Sequence, residues 1–387
     1  MNKAPLHTIV ANLQNKLVEI RRHLHEYPEL SREEFQTSAY IKQMLESVEI
    51  PILPSLLQTG VIAEIKGEES DGPIIALRAD IDALPILEET TLPFASKIPG
   101  KMHACGHDFH TASILGAAYL LKQKEKQLQG TVRFIFQAAE EDSSGAKEVI
   151  EAGLLKDVSA IFGMHNKPDL PVGTIGISEE PLMASVDRFE IQIDGKGTHA
   201  AIPHAGIDPI VAASHIILAL QSIVSRNVSP LHSAVISVTN LHAGNTWNVI
   251  PKTVKLEGTV RTFQDNVRNT IFEKIQQIIQ GVASALGVTA VLRRYPGPPP
   301  IQNNPLLAGL CTQAASLNGI SVIEPVPSMA GEDFAFYQRE VPGFFVFMGT
   351  SGTEEWHHPA FTLDERALSI SSHYFATLAE KALIQLK

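Results

Sequence analysis

The chain has 387 residues, which at a soft ~150 residues per domain predicts two or three compact units. A formal net charge of −11, from 31 Lys+Arg against 42 Asp+Glu, leaves no positive field to hold nucleic acid or an anionic membrane. At 44% hydrophobic and 19% charged residues the chain can bury a full core, and its two cysteines, Cys105 and Cys311, exclude a disulfide framework and suit a reducing compartment.

The first residues, MNKAPLHTIVANLQNKL, contain no apolar run long enough for a signal peptide, and no later stretch approaches ~20 continuous apolar residues. A cytoplasmic location is expected. From Leu17 the pattern is helical to about His25 and breaks at Tyr27-Pro28. Ser31-Arg-Glu-Glu34 then reads as a capping box opening a second helix, with Phe35, Ala39, Met44, Leu45 and Val48 as its buried stripe. Short apolar runs at 61–65, 74–79, 132–136 and 160–164 read as strands buried on both faces. Helical segments at 111–122 and 146–155 alternate with them, predicting an α/β domain with a largely parallel or mixed sheet.

Near Met183 the style changes. Alternating strands at 185–194, 234–238 and 253–262, helices at 208–224 and about 267–286, and a strand at 289–295 follow the β-α-β-β-α-β order of a ferredoxin-like unit. After the proline-rich Pro296-Gly-Pro-Pro-Pro300, a helix (306–318), a strand (344–348) and a long helix (368–385) return to the first style. The predicted organisation is a discontinuous α/β domain, 1–183 plus 300–387, interrupted by an α+β satellite at 184–299.

Fifteen histidines prove nothing by number; their placement matters. Met102-His-Ala-Cys-Gly-His-Asp-Phe-His110 puts Cys105 and His107 two apart at a helix entry, where they can converge on an ion or form an ordinary packed loop. Asp108 and His110 favour the ion, because ligand histidines need a supporting acceptor. The run ending Phe136-Gln-Ala-Ala-Glu-Glu141 places two adjacent carboxylates after a buried strand, where sites of open α/β sheets assemble. A solvated loop is the other reading. Another strand delivers His165, and Trp356-His-His-Pro359 adds a histidine pair. Four such segments together point to a metal site whose donors suit Zn²⁺, Mn²⁺, Co²⁺ or Ni²⁺ better than Ca²⁺ or Mg²⁺.

With Arg78-Ala-Asp-Ile-Asp-Ala-Leu-Pro85, Gly195-Lys-Gly-Thr-His199, Asn248-Val-Ile-Pro251 and Gly331-Glu-Asp-Phe334 added, the chain resembles, over nearly its whole length, the amidohydrolase branch of the M20 metallopeptidases. That branch contains hippurate hydrolases, indole-acetyl-amino-acid hydrolases and bacterial N-acetyl-amino-acid deacetylases. The resemblance implies a zinc-peptidase-like catalytic α/β domain, with the satellite as lid and dimerisation domain of a homodimer or higher homo-oligomer. It implies two divalent ions, Mn²⁺ or Zn²⁺ foremost and Co²⁺ or Ni²⁺ as alternatives. Cys105, His107, Glu141, His165 and His357 would hold them, with Cys105 bridging and His358 the alternative to His357. It also implies Glu140 as general acid/base and His199 as the residue that polarises the scissile carbonyl, while Asn248 and Arg261 line the substrate pocket. Asp80 would support a ligand, although Arg78 stands where relatives carry a histidine. Ala138 and Ala330 depart from the family's proline and glycine.

The implied reaction is amide hydrolysis of N-acyl, chiefly N-acetyl, amino acids. Hippurate-type aromatic amides, dipeptides and N-acetyl-diaminopimelate are alternative substrates. Two other classes stay open at this level: a cysteine hydrolase with Cys105 as nucleophile and His107 as base, and a ligand-binding protein on the same scaffold.

Overall fold

The computed structural model of the chain describes residues 6–68 and 71–387. They divide into two compact units, one running to Glu180 and taking up Gln302–Val326 and Asp333–Lys387, the other Pro181–Ile301 with Pro327–Glu332.

The first unit is built on a mixed sheet of β1(Val61–Lys66), β2(Ile74–Asp80), β3(Thr131–Gln137), β4(Val158–Lys167), β5(Thr174–Gly176), β12(Ser321–Ile323) and β13(Gly343–Gly349), in the order β1-β3-β2-β4-β13-β5-β12. Strands β2, β3, β4 and β13 run parallel, while β1 and β5 pair antiparallel to β3 and β13. The expected α/β class and the double-sided burial of these strands are both observed. Around the sheet lie α1(Leu6–Ala11), α2(Leu13–Glu26), α3(Phe35–Glu46), α4(His107–Gln123), α5(Gly145–Glu151), α8(Pro305–Leu317), α9(Phe334–Glu340) and α10(Ala367–Gln385). Ile75 and Leu77 of β2 and Phe162 and Met164 of β4 join Ile114, Leu115 and Ala118 of α4 and Leu368, Phe375 and Leu378 of α10 in one core. Each such side chain contributes ~1.5–3 kcal/mol on burial. Residues of opposite parity, Arg78 on β2, His165 on β4 and Gln137 on β3, whose Val132, Phe134 and Phe136 join the same core, belong to the other face.

Two local expectations fail. No capping box forms at Ser31: its hydroxyl donates to Asp82 Oδ2 at 2.7 Å, and Glu34 Oε1 accepts from Ala139 N at 2.8 Å. The start of α3 is satisfied instead by Glu29, which accepts from the backbone of Gln36 and Thr37. Phe35 is 55% exposed and Ala39 is exposed, so the buried stripe is Thr37, Ser38, Ile41, Leu45 and Val48. Distant partners replace the local ones, and the face turned inward rotates with them. Helix α4 also starts four residues early, at His107, which places Asp108 in its first turn.

The second unit holds β6(Ser185–Asp194), β7(Thr198–His199), α6(Pro209–Asn227), β8(Ala234–Ala243), β9(Val249–Ile250), β10(Thr253–Thr262), α7(Asp265–Leu286) and β11(Thr289–Pro296). Its four long strands form an antiparallel sheet, β11-β6-β10-β8, with the first strand between the fourth and the third, as expected of a ferredoxin-like unit. Phe189, Ile191 and Ile193 of β6 and Val254, Leu256 and Val260 of β10 face Ile216 and Leu220 of α6 and Ile271 and Ile275 of α7. Asp208 caps α6 through Ile210 N, with Pro209 as its first residue. Helix α6 is long and apolar enough to cross a membrane by length and composition, yet its Ala212, Ile216, Leu220 and Ile223 belong to this core.

Within the first unit α2 is tied to α4 by a buried ion cluster. Asp108 Oδ2 accepts from Arg21 Nε at 2.9 Å and lies 2.8 Å from His25 Nδ1, whose Nε2 is 3.2 Å from Glu88 Oε1. Burial alone would raise the Asp108 carboxyl, but Arg21 and His25 outweigh it and hold it far below the usual carboxylate range. A depressed carboxyl stabilises the fold above its unfolded value, ~3.9, and that contribution fades as pH falls below it. Asp108→Asn should cost about 3–5 kcal/mol at pH 7. Urea titrations across pH should show the gap to wild type narrowing only below about pH 4.

Candidate metal centre

The carboxyl ends of the four parallel strands deliver the site, as open α/β sheets do. Asp80 ends β2, Glu140 and Glu141 follow β3, His165 lies near the end of β4, and His357 sits in the loop after β13. Cys105 precedes α4 and His107 begins it.

Gly106 makes the turn between them possible. Its φ is +84°, and a Cβ there would stand 2.4 Å from Asn166 Nδ2, which donates to Cys105 O at 2.6 Å. His107 Nδ1 donates to Asp82 O at 2.9 Å and lies 3.2 Å from Asp82 Oδ1, which fixes the ring and leaves Nε2 directed away from that contact. Asp82 Oδ2 also accepts from Glu141 N at 3.0 Å. One buried carboxylate therefore orients two donor residues. His165 Nδ1 donates to Asn166 O at 2.9 Å, so its Nε2 faces Cys105 Sγ at 3.4 Å.

Cys105, His107 and His165 bring ligand atoms within 4.8 Å of one another, and so do Cys105, Glu141 and His357. Cys105 belongs to both sets. His357 Nε2 is 3.4 Å from Glu141 Oε1, whereas His358 accepts from Ala360 N and lies outside both sets. Cys105, His107, Glu141, His165 and His357 are thus brought together.

These residues fit divalent metal. His107 Nε2 and Glu141 Oε1 are buried without a hydrogen-bond partner, 3.9 Å apart, an arrangement costly for two polar groups unless a cation lies between them. Burial would lower the His107 pKa, but Asp80, Asp82 and Glu141 drive it up to about 10. The pocket demands positive charge, and a proton is the weaker way to supply it. Burial, reinforced by His110, keeps His165 well below the ordinary histidine value and therefore neutral, the form that ligates.

Glu140 is buried, and its Oε1 accepts from Asp333 N at 3.2 Å. The turn that presents it carries Ala139 at φ +54°, a left-handed conformation held by the bond to Glu34. Asp80 is fully buried, bonded to Arg78 Nη1 at 2.7 Å and His110 Nδ1 at 2.6 Å, and 3.7 Å from His107 Nε2. The expectation that Asp108 supports a ligand histidine fails, because it points to α2; Asp80 and Asp82 are the nearby acceptors. Asp82 and Asp333 stand in the motifs quoted above without a role of their own, and Asn166 stands in none. The Asp80-Ile-Asp82 spacing was a usable signal, since two acids two apart after a buried strand share a side.

His199, Asn248 and Arg261 lie in the second unit. Strand β7 pairs with β9, which sets His199 opposite Val249 and lets Ala200 N donate to Asn248 O at 3.0 Å. The His199 ring is exposed, with Nδ1 accepting from Ala201 N. Half-buried Arg261 donates to Thr259 Oγ1 at 3.1 Å and Met329 O at 3.4 Å.

The profile of the family described as Peptidase family M20/M25/M40 matches residues 76–381. The chain is 58% identical over 373 residues to the N-acetylcysteine deacetylase of Bacillus subtilis, covering 96% of this chain and 98% of that protein. It is 41% identical over 379 residues to an IAA-amino acid hydrolase (ILR1-like 5) of Arabidopsis thaliana, covering 95% and 87%. A Bacillus subtilis protein described as a dinuclear metal binding peptidase from the M20 family superposes with a TM-score of 0.88 at 54% identity, covering 97% of this chain and 99% of that one.

Gly106→Ala should push Asn166 away from Cys105 and strain the entry to α4, destabilising the protein by about 1–3 kcal/mol. Bound metal should fall with it. Thermal melts of the metal-free protein and metal analysis of the loaded protein would measure the two effects separately.

Proposed function

The chain belongs to peptidase family M20/M25/M40, and from that premise we propose that it deacetylates N-acetyl amino acids, N-acetylcysteine foremost, with two divalent ions that Cys105, His107, Glu141, His165 and His357 would hold. It is a metal-dependent amidohydrolase of N-acyl amino acids. The observation that carries the two-ion reading is the overlap of two donor sets at one thiol, with His107 Nε2 and Glu141 Oε1 left without hydrogen bonds beside it. Thiol, imidazole and carboxylate donors favour Mn²⁺ or Zn²⁺, with Co²⁺ and Ni²⁺ as substitutes. The relative named for N-acetylcysteine supports the choice of substrate.

Divalent metal held by Cys105, His107, Glu141, His165 and His357 would supply Lewis acidity toward the acyl carbonyl and lower the pKa of a water. Glu140, held at Oε1 by Asp333 N–H, takes the proton from the attacking water and returns it to the leaving amine. His199 donates to the developing oxyanion, Asn248 bonds the substrate, and Arg261 pairs with the carboxylate of the amino acid. Asp80 and Asp82 keep His107 in place. A cysteine-nucleophile reading finds its Cys–His contact in His165 rather than His107, but leaves Glu141 and His357 without a task.

We assign the catalytic chemistry to 1–183 and 300–387, and lid and dimerisation roles to 184–299. The dimer surface is the outer face of α6, where Leu218 is 72% exposed beside Ile210 and Val211, together with edge strand β8, where Leu241 is 48% exposed.

Glu140→Gln should retain two ions per chain and lose 10²–10⁴-fold in kcat. Near-wild-type turnover would remove the base assignment. His357→Ala should lose metal and His358→Ala should not, as elemental analysis would read. A chelator should abolish activity and Mn²⁺ or Zn²⁺ restore it, whereas a cysteine hydrolase would keep working without metal. Leu218→Glu should convert a dimer to a monomer in light scattering. A wild-type monomer would remove the dimer proposal.

A further inference from the structure

The Arg78 guanidinium and the Asp333 side chain have no part in the chemistry above, yet they meet directly beside it. The Asp333 carboxylate is fully buried and accepts from three segments of the first unit. Oδ1 receives Arg78 Nη2 from β2 at 2.8 Å and Gln137 Nε2 from β3 at 3.0 Å. Oδ2 receives the same Gln137 nitrogen at 2.8 Å and Ala146 N, at the start of α5, at 2.9 Å. The main-chain N–H of this residue is the one that donates to Glu140 Oε1.

Arg78 reaches further. Its Nη1 holds Asp80 Oδ2 at 2.7 Å and its Nε holds Gln137 Oε1 at 2.9 Å, an oxygen that also accepts from Tyr337 OH at 2.9 Å. Asp80 Oδ1 in turn meets His110 Nδ1. A planar guanidinium fork clamped between two carboxylates fixes both in angle as well as distance, which a lysine cannot do.

We propose that Asp333 is a positioning residue for the general base, and that Arg78 links it to Asp80 so that the base and the histidine side of the metal centre are held as one rigid assembly. Buried carboxylates far outlast exposed ones in holding a geometry, because breaking any one of these bonds strands a charge away from water. The side chain of Asp333 is therefore immobile, its peptide N–H is set, and the Glu140 carboxylate rests on that N–H. This rests on the reading of Glu140 as the base.

The test is Asp333→Asn in the full-length protein. The amide has the same shape, but wherever its nitrogen points it faces hydrogen-bond donors and must break a contact. The folded variant should bind two ions per chain, keep KM, and lose about 10²-fold in kcat, the size expected when a reacting group is misplaced by about 1 Å. Arg78→Lys should fall between wild type and Arg78→Met in kcat, because it restores charge without the fork. Melting of the metal-free forms shows which variants fold. Should Asp333→Asn not fold, Tyr337→Phe, which removes one hydroxyl from Gln137, should lower kcat several-fold at constant KM. Wild-type kcat in the folded variants, or a loss of activity matched by a loss of metal, overturns the proposal. If Glu140→Gln is inactive while Asp333→Asn is normal, only this inference falls. If Glu140→Gln turns over normally, the base assignment itself falls.

Discussion

Too many buried carboxylates share one small region for the first unit to fold without a matching set of cations, and most of its arrangement follows from that. Asp80, Asp82, Asp108, Glu140 and Asp333 are all buried around the carboxyl ends of four parallel strands. An unpaired carboxylate in such surroundings would cost several kcal/mol. Arg21 and His25 answer Asp108, Arg78 answers Asp80 and Asp333, and Asp82 takes His107, Ser31 and a backbone amide. Among the buried atoms left without a hydrogen-bond partner, His107 Nε2 and Glu141 Oε1 lie 3.9 Å apart. An imidazole and a carboxylate left unbonded side by side, next to a thiol and two more imidazoles, suit a metal ion.

The same constraint explains why the supporting shell is more rigid than the residues it supports. Asp82 and Asn166 each bond two parts of the centre, and Gly106 lets the backbone pass close enough to Asn166 for this to happen. His357, in contrast, sits half-exposed on a loop with φ +65° and is fixed by one backbone bond to Ala104 O. Placement accurate to a fraction of an ångström comes from strand ends and a helix start, and the loop adds the last donor.

The second unit obeys simpler rules. Alternating residues on β6 and β10 meet the inner faces of α6 and α7, and the unit's buried Asp187 is matched by Arg268 and Arg294. Its β-α-β-β-α-β order was readable because period-2 and period-3.6 patterns follow each other cleanly there. In the first unit the five longer strands are readable as continuous apolar runs and the short β5 and β12 are not, while α3 carries a cap and a buried face other than those expected. Its Ser-x-x-Glu looked like a local cap, while Ser31 and Glu34 are used by Asp82 and Ala139, far along the chain.

By itself the sequence determined the α/β class, the interruption by a ferredoxin-like segment, and the residue types available for chemistry, because periodicity and adjacency are local properties of the chain. It also singled out the pairs Glu140-Glu141 and His357-His358. Only the tertiary structure decided that the members implied by the resemblance, Glu141 and His357, lie beside the thiol, that Asp82 rather than Asp108 orients His107, and that Arg78 reaches Asp333 across 255 positions of chain. Those outcomes depend on which strands lie side by side and how their ends align, and no spacing along a single chain encodes which distant carboxylate a buried cation will meet.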